Sequence, residues 1–276
     1  MPRYISTAGD RPSTKEAAPS MRFIRSALAL ALFFSLAIGE AHADDVTIAV
    51  AANFTAPMKQ IAAGFEKDTG HKITASFGST GQLYAHIKNG APFEVFFSAD
   101  SSTPTKLVAE NAAVGTSQFT YAHGKLVLWS AKFGFVDTDG GVLKLGNFDK
   151  IALANAKLAP YGAAAVETMR SLGVYDALQP KFVTGENIGQ TFQFAATGNA
   201  QLGFVALSQV MKEGRITSGS AWIVDPKLYA PIKQDAVLLN RGKGRPAAEA
   251  LLKYLRGDTA LAIIKSYGYG FQPTLR

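Results

Sequence analysis

Ser76-Phe77-Gly78-Ser79-Thr80-Gly81-Gln82-Leu83 carries a short apolar run into a glycine, two hydroxyl residues, a second glycine and the first apolar residue of a helical pattern. Ile73 to Phe77 reads as a strand, and Leu83 with Ile87 as one face of a helix that stops at Gly90. Ser79 and Thr80 then stand at a strand-to-helix junction. The flanking glycines allow backbone to approach a ligand closely, and each hydroxyl residue offers both its hydroxyl and its amide hydrogen. Taken alone the stretch also reads as an ordinary capping turn. A nucleotide-triphosphate loop is excluded, because no Lys follows the second glycine.

The same kind of junction recurs along the chain. Ala52-Asn53-Phe54-Thr55 follows a strand at Val46–Ala51, Ala159-Pro160-Tyr161-Gly162 follows one at Ile151–Ala154, and Glu186-Asn187-Ile188-Gly189 follows one at Lys181–Thr184. Further strands are expected at Glu94–Ser98, Lys125–Ser130, Leu202–Ala206 and Ala236–Leu239. Helices are expected from Phe54 to Gly70 and at Thr103–Ala113, Gly162–Leu172, Ile188–Thr197, Leu207–Glu213, Pro246–Arg256 and Asp258–Tyr267. This alternation predicts an α/β fold. A single sheet of eight strands would accommodate it, but two lobes with a ligand cleft between them suit the junctions better. Each junction points unpaired helix N–H groups and the positive end of a helix dipole outward from the carboxyl edge of a sheet. Such ends bind anions.

The junctions contain no Lys, Arg or His, so an anion held there rests on neutral donors and helix dipoles. Glu186 is their one carboxylate, and at a helix start it is expected to be a capping partner. A protonated oxyanion such as phosphate needs an acceptor as well as donors, whereas a fully ionised one needs donors only. The junctions therefore favour a fully ionised tetrahedral oxyanion. Asn53 also reads as a plain N-cap, and Tyr161 as a packed aromatic; their combination with Ser79 and Thr80 is what informs.

Enzyme readings have little support. A hydrolase would have to use Asp100 or Glu94 with one of His71, His86 and His123, and no nucleophile–base pair or Gly-x-Ser-x-Gly elbow is visible. Asp100, in Phe97-Ser98-Ala99-Asp100, is better read as part of a capping turn. No two histidines stand at metal-ligand spacing, and no cofactor is expected.

Composition sets the outer limits. The 276 residues are 47% hydrophobic and 18% charged, inside the globular range. With no cysteine there is no disulfide, thiolate metal site, thiol nucleophile or lipid-modified cysteine. The formal net charge of +7 is spread thinly, never as a run of five basic residues, so nucleic acid is not an expected partner. Residues 1–43 read as an export signal behind an upstream extension. Met21 is the better start, Arg22 and Arg25 form the basic region, Ser26 to Ile38 the apolar stretch, and Glu40-Ala41-His42-Ala43 the cleavage site. Its removal takes away five Lys/Arg and three Asp/Glu and leaves a net charge of +5. No later stretch is apolar and long enough to span a bilayer.

With these residues in place, the chain resembles the periplasmic molybdate-binding proteins of ABC importers, the ModA family, over nearly all of its length after the export signal. The resemblance is carried by Ala51-Ala52-Asn53-Phe54, Phe77-Gly78-Ser79-Thr80-Gly81, the run from Asn89-Gly90-Ala91-Pro92-Phe93-Glu94 through Val95-Phe96-Phe97-Ser98-Ala99-Asp100, and Gly203-Phe204-Val205-Ala206. Gly124 to Ser130, Ala159-Pro160-Tyr161-Gly162 and Ile264 to Tyr269 are also similar.

The resemblance implies a two-lobed type II periplasmic binding protein fold that closes on one oxyanion, molybdate or its near-isostere tungstate, and hands it to a membrane permease. Sulfate is the alternative ligand. It further implies a monomer in the periplasm, neither membrane-embedded nor an enzyme, with residues 44–122 and 236–276 as lobe 1 and residues 123–235 as lobe 2. The implied ligand-binding residues are Asn53, Ser79 and Thr80 from lobe 1 and Tyr161 and Ile188 from lobe 2, Ile188 through its backbone N–H. Ala206 departs from family members that place a ligand-binding Tyr there, which points to Tyr161 as the source of the phenol.

Overall fold

Two five-stranded sheets organise the chain. The computed structural model describes residues 44–271 and the first two residues; the expected export signal otherwise lies outside the described residues. The first sheet contains β1 (Asp45–Ala51), β2 (Lys72–Gly78), β3 (Val95–Phe97), β4 (Phe119–Gly124) and β12 (Ile232–Leu238), in the spatial order β2-β1-β3-β12-β4. The second contains β5 (Leu126–Ser130), β6 (Ile151–Ala154), β7 (Phe182–Gly185), β8 (Leu202–Ala206) and β11 (Ser220–Ile223), in the order β11-β5-β8-β6-β7. The α/β class is as expected, and the single eight-stranded sheet is not formed.

β1 runs parallel to β2 and β3, and β6 parallel to β7 and β8. Parallel neighbours need crossovers. These are α1 (Thr55–Thr69) and α2 (Thr80–Lys88) in the first sheet; in the second they are α5 (Pro160–Ser171) with α6 (Tyr175–Leu178), and α7 (Ile188–Ala196). α3 (Ser102–Ala109), α4 (Val142–Leu145), α8 (Leu207–Val210), α9 (Pro246–Leu255) and α10 (Asp258–Ser266) complete the helices described. α1 shows why the helices form where they do. Met58, Ile61 and Phe65 share one fully buried face, each contributing about 1.5–3 kcal/mol by burial. The helix stops at Gly70, whose φ of +76° closes the last turn through its N–H to the Glu66 carbonyl. Ile48, Phe97, Leu251 and Ile264 extend that core, while Leu126, Ile151, Met169 and Phe204 belong to the core of the second sheet.

β4 and β12 connect the sheets. β4 passes into β5 through Lys125 alone, and both β4 and β12 run across the expected lobe divides at 122/123 and 235/236. Strands that bridge two lobes belong to both, so a boundary inside them is a point on a continuous ladder.

Several expected elements differ. The helix expected at Leu207–Glu213 ends at Val210, and β9 (Met211–Lys212) and β10 (Arg215–Ile216) form a hairpin instead. Its two-residue turn, Glu213-Gly214, has positive φ at both positions (52° and 76°), the geometry that matches strand twist. The helix expected to Ala113 stops at Ala109, since Asn111 takes φ 54° and Ala113 bridges to Leu239. β12 begins at Ile232 rather than Ala236, and β4 and β11 were not anticipated. Their polar residues give no period-2 alternation, and pairing with β12 and β5 is what makes them strands.

Candidate functional site

The four junctions meet. Thr80 is the first residue of α2 and Ser79 its N-cap. Pro160 opens α5, where its missing N–H costs nothing, and Tyr161 follows it. Ile188 is the first residue of α7, and Asn53 sits in a 3₁₀ turn, Ala52–Phe54, ahead of α1. All five candidate residues line one cavity, together with Gly78, Ala99 and Ala159. No charged side chain is part of that lining. It is small, with a cavity volume of about 10 Å³. A space of that size excludes an organic ligand.

The amides of Thr80, Tyr161 and Ile188 lie in first helical turns, where no carbonyl four residues back exists to accept them. The hydroxyls are individually arranged. Thr80 Oγ1 accepts the Ala99 N–H at 3.1 Å, so its own hydrogen remains to be donated. Tyr161 OH accepts from Gln234 Nε2 at 3.0 Å. Ser79 Oγ donates to Gln82 Oε1 at 2.8 Å, and the same oxygen accepts the Ser79 backbone N–H at 3.3 Å, as in a capping box. Asn53 is not an N-cap. Its Nδ2 donates to Gln234 Oε1 (2.8 Å) and Tyr269 OH (2.9 Å), and its carbonyl accepts from Ser208 Oγ (2.7 Å) and Tyr269 OH (2.9 Å). Its side-chain amide is a strut, and its backbone N–H is what it has for a ligand.

Another expectation changes. Glu186 is not the capping partner of α7: Asn187 accepts from the amides of Gly189 and Gln190, and Glu186 is exposed. Ala206 does not line the cavity; its N–H donates to Gln209 Oε1, and Gln209 Nε2 donates to the Ile188 carbonyl. Gln209 thereby braces the start of α7 from beneath.

Gln234, Tyr121, Tyr269 and Ser208 were missed in the sequence. Gln234 is fully buried on β12, and Tyr121 OH lies 3.0 Å from both Gln234 Oε1 and the Ser98 carbonyl. A bulge brings them face to face: Gln234 pairs with Ala122 and Asp235 with Thr120, leaving Tyr121 as the extra residue of β4. The one available signal was a polar Lys-Gln-Asp run entering an apolar strand, which reads from sequence as a strand boundary.

Burial holds the phenols of Tyr121 and Tyr161 well above their ordinary value, and raises that of Tyr269. All three stay neutral donors or acceptors at physiological pH. Their folded values exceed the unfolded value of about 10, so the stability they contribute is complete below that pH and is lost as pH rises above it. The thermal midpoint is expected to hold level to about pH 9 and to fall beyond about pH 10, as differential scanning fluorimetry across pH 7–11 would show.

Gly81 N–H donates to the Leu158 carbonyl at 2.9 Å, tying α2 of the first lobe to the loop before α5 in the second. Ser208 Oγ on the Asn53 carbonyl makes a second tie. Two larger, open grooves flank this contact. One includes Asp100, Lys157 and Glu167, and the other Phe192, Met211 and Lys212.

The residues of the hydrolase reading are engaged elsewhere. Asp100 Oδ1 accepts the Thr103 N–H at 2.7 Å, capping α3 as expected. Glu94 accepts the Thr47 N–H and pairs with Arg245 Nε at 3.2 Å. His71 Nδ1 accepts the Asp44 N–H, His86 is exposed on α2, and His123 lies within β4 rather than before a strand.

Two α/β lobes and a small, uncharged, donor-lined cavity at their contact define a solute-binding protein that encloses a small ligand between lobes. The chain belongs to the family of bacterial extracellular solute-binding proteins, whose model matches residues 46–270. It is 58% identical to the molybdate-binding protein ModA of Azotobacter vinelandii, over 91% of this chain and all of that one. It is 56% identical to ModA of Rhodobacter capsulatus, over 88% of this chain and 94% of the relative. The solved structure of the Azotobacter vinelandii periplasmic molybdate-binding protein superposes with a TM-score of 0.80 at 42% identity, covering 83% of this chain and all of that one. The expected periplasmic-binding-protein fold is the one found.

Proposed function

We propose that the chain is the substrate-binding subunit of an ABC importer that captures molybdate, and tungstate with it, in the periplasm and delivers it to a membrane permease. In this reading it acts as a monomer, catalyses no reaction and needs no cofactor. Asn53 through its backbone N–H, Thr80, Tyr161 and Ile188 supply the donors, and Ser79 joins them by turning its hydroxyl from Gln82 to the ligand. The observation that carries the reading is the convergence of four junctions on one cavity whose lining has no charged side chain. A dianion there is stabilised by donors and by helix N-termini, each worth up to about 2 kcal/mol when partly buried. The names of the relatives at 58% and 56% identity supply the choice of molybdate. Sulfate is smaller, and a rigid cavity would leave some donors unpaired around it.

Titration calorimetry tests this. Molybdate is expected to bind with a shallow salt dependence, since no Lys or Arg pairs with it. At 100 times its dissociation constant it should add about 2.7 kcal/mol of stability. No heat and no thermal shift with molybdate, or sulfate displacing it at equal concentration, would reject the reading.

Gly81→Ala separates closure from folding. A Cβ there would lie 3.1 Å from Leu158 Cα and 3.2 Å from its carbonyl oxygen, backbone atoms that move only with the second lobe. As the second residue of α2, alanine itself favours the helix by about 0.5–1 kcal/mol. Thermal stability without ligand is therefore expected to hold or rise. Molybdate affinity should fall by about 1–3 kcal/mol, the usual cost of overpacking.

A further inference from the structure

We propose that Gln234 is the positioning residue that turns the Tyr161 hydroxyl into a fixed donor aimed at the ligand cavity. The inference rests on the oxyanion reading above and assigns a role to a residue that does not itself line the cavity.

The argument starts at a backbone carbonyl, which can only accept. Tyr269 OH lies 2.9 Å from the Asn53 carbonyl and 3.0 Å from Ser208 Oγ, whose own hydrogen goes to the same carbonyl. The Tyr269 hydrogen is spent there, so its oxygen accepts from Asn53 Nδ2. That fixes which end of the Asn53 amide faces inward, and the same Nδ2 donates to Gln234 Oε1. Tyr121 OH, whose one hydrogen is shared with the Ser98 carbonyl, reaches the same Oε1 from the opposite strand. With its oxygen committed, Gln234 can present only Nε2 to Tyr161, and it does so at 3.0 Å. The Tyr161 oxygen is thereby occupied as an acceptor. Among the described residues no acceptor takes its hydrogen, and Tyr161 is part of the cavity wall.

Thr80 repeats the device from the other lobe. Its hydroxyl oxygen accepts the Ala99 N–H, which leaves the hydrogen for the cavity. Two hydroxyls from two lobes thus have their oxygens loaded by protein N–H groups, one from backbone and one from the Gln234 side chain. A hydroxyl whose rotor is set before binding gives up less freedom when it donates. One oriented the wrong way would present lone pairs to an anion.

The inner amide end of Gln234 can be tested because it is a side chain. Molybdate affinities of wild type, Gln234→Met, Tyr161→Phe and the double variant form a cycle measured by calorimetry, with unliganded thermal midpoints recorded alongside. Each single substitution is expected to weaken binding by about 10- to 100-fold, the range of one hydrogen bond to a charged group. The double variant should bind no more weakly than Tyr161→Phe, because Gln234 has nothing to orient once the hydroxyl is gone. A merely structural role would give additive losses.

Should Gln234→Met not fold, Gln234→Glu keeps the shape and replaces the single donor with an acceptor. It should then lose more affinity with Tyr161 present than in the Tyr161→Phe background. Additive losses in the folded cycle, or wild-type affinity in Gln234→Met, overturn the proposal while molybdate binding by wild type stands. A wild type without molybdate affinity overturns the oxyanion reading and this inference with it.

Discussion

Thr80→Pro is expected to reduce molybdate affinity by about 10²- to 10⁴-fold while leaving α2 in place, because it removes two donors at once. Thr80 is the first residue of the helix, the position where proline is best tolerated. Ser79 before it is already extended, with ψ 152°, as a residue preceding proline must be. The substitution deletes the amide hydrogen and the hydroxyl, each a hydrogen bond to a charged ligand worth about 1.5–3 kcal/mol. It also leaves the buried Ala99 N–H without its acceptor, at a further cost to stability of about 1–3 kcal/mol. Thr80→Ala is the control, since it keeps the amide and should lose only the smaller increment. Calorimetry on both variants at low and moderate salt decides the matter. Two silent variants with affinity that falls steeply with salt would mean that a cation, not neutral donors, holds the anion.

Gly124→Ala is expected to cost about 3 kcal/mol of stability and most of the ligand affinity, from one added methyl group. Gly124 ends β4 where the chain leaves the first sheet. A Cβ there would collide with Tyr161 OH and sit 2.6 Å from Gln234 Nε2. Neither neighbour can yield cheaply. Tyr161 is a fully buried ring, and Gln234 is held by bonds from Asn53 and Tyr121. Relief requires breaking the Gln234–Tyr161 bond or parting the strands. Chemical denaturation gives the stability change. A Gly124→Ala protein with wild-type stability and affinity would show that the buried polar cluster is looser than its distances imply.

Much of the site was legible because strand-to-helix junctions are local. Ser79, Thr80, Tyr161 and Ile188 could be placed at helix starts from glycines, a proline and the change of hydrophobic period. Those helices begin within a residue or two of the expected positions. Asn53 was placed at its junction, but the N-cap reading it also allowed does not hold. An asparagine after a strand looks like an N-cap from its neighbours, whereas its amide here is engaged by Gln234 and Tyr269, 181 and 216 residues away. The hairpin that replaced the end of an expected helix at Met211–Ile216 shows the converse: Glu213-Gly214 is a local turn signal that apolar spacing concealed.

What the sequence by itself determined is most of the helices and parallel strands, the absence of thiol chemistry and the neutral character of the four junctions, all properties of residues and their near neighbours. Only the tertiary structure decided that the four junctions share one cavity, that β4 and β12 bridge the sheets, and that a bulge sets Gln234 beside Tyr121 with its Nε2 on Tyr161. Hydrophobic periodicity reports which face of an element is buried. It says nothing of which buried polar atom meets which, because hydrogen-bond partners are chosen by pairing and register between segments more than 70 residues apart.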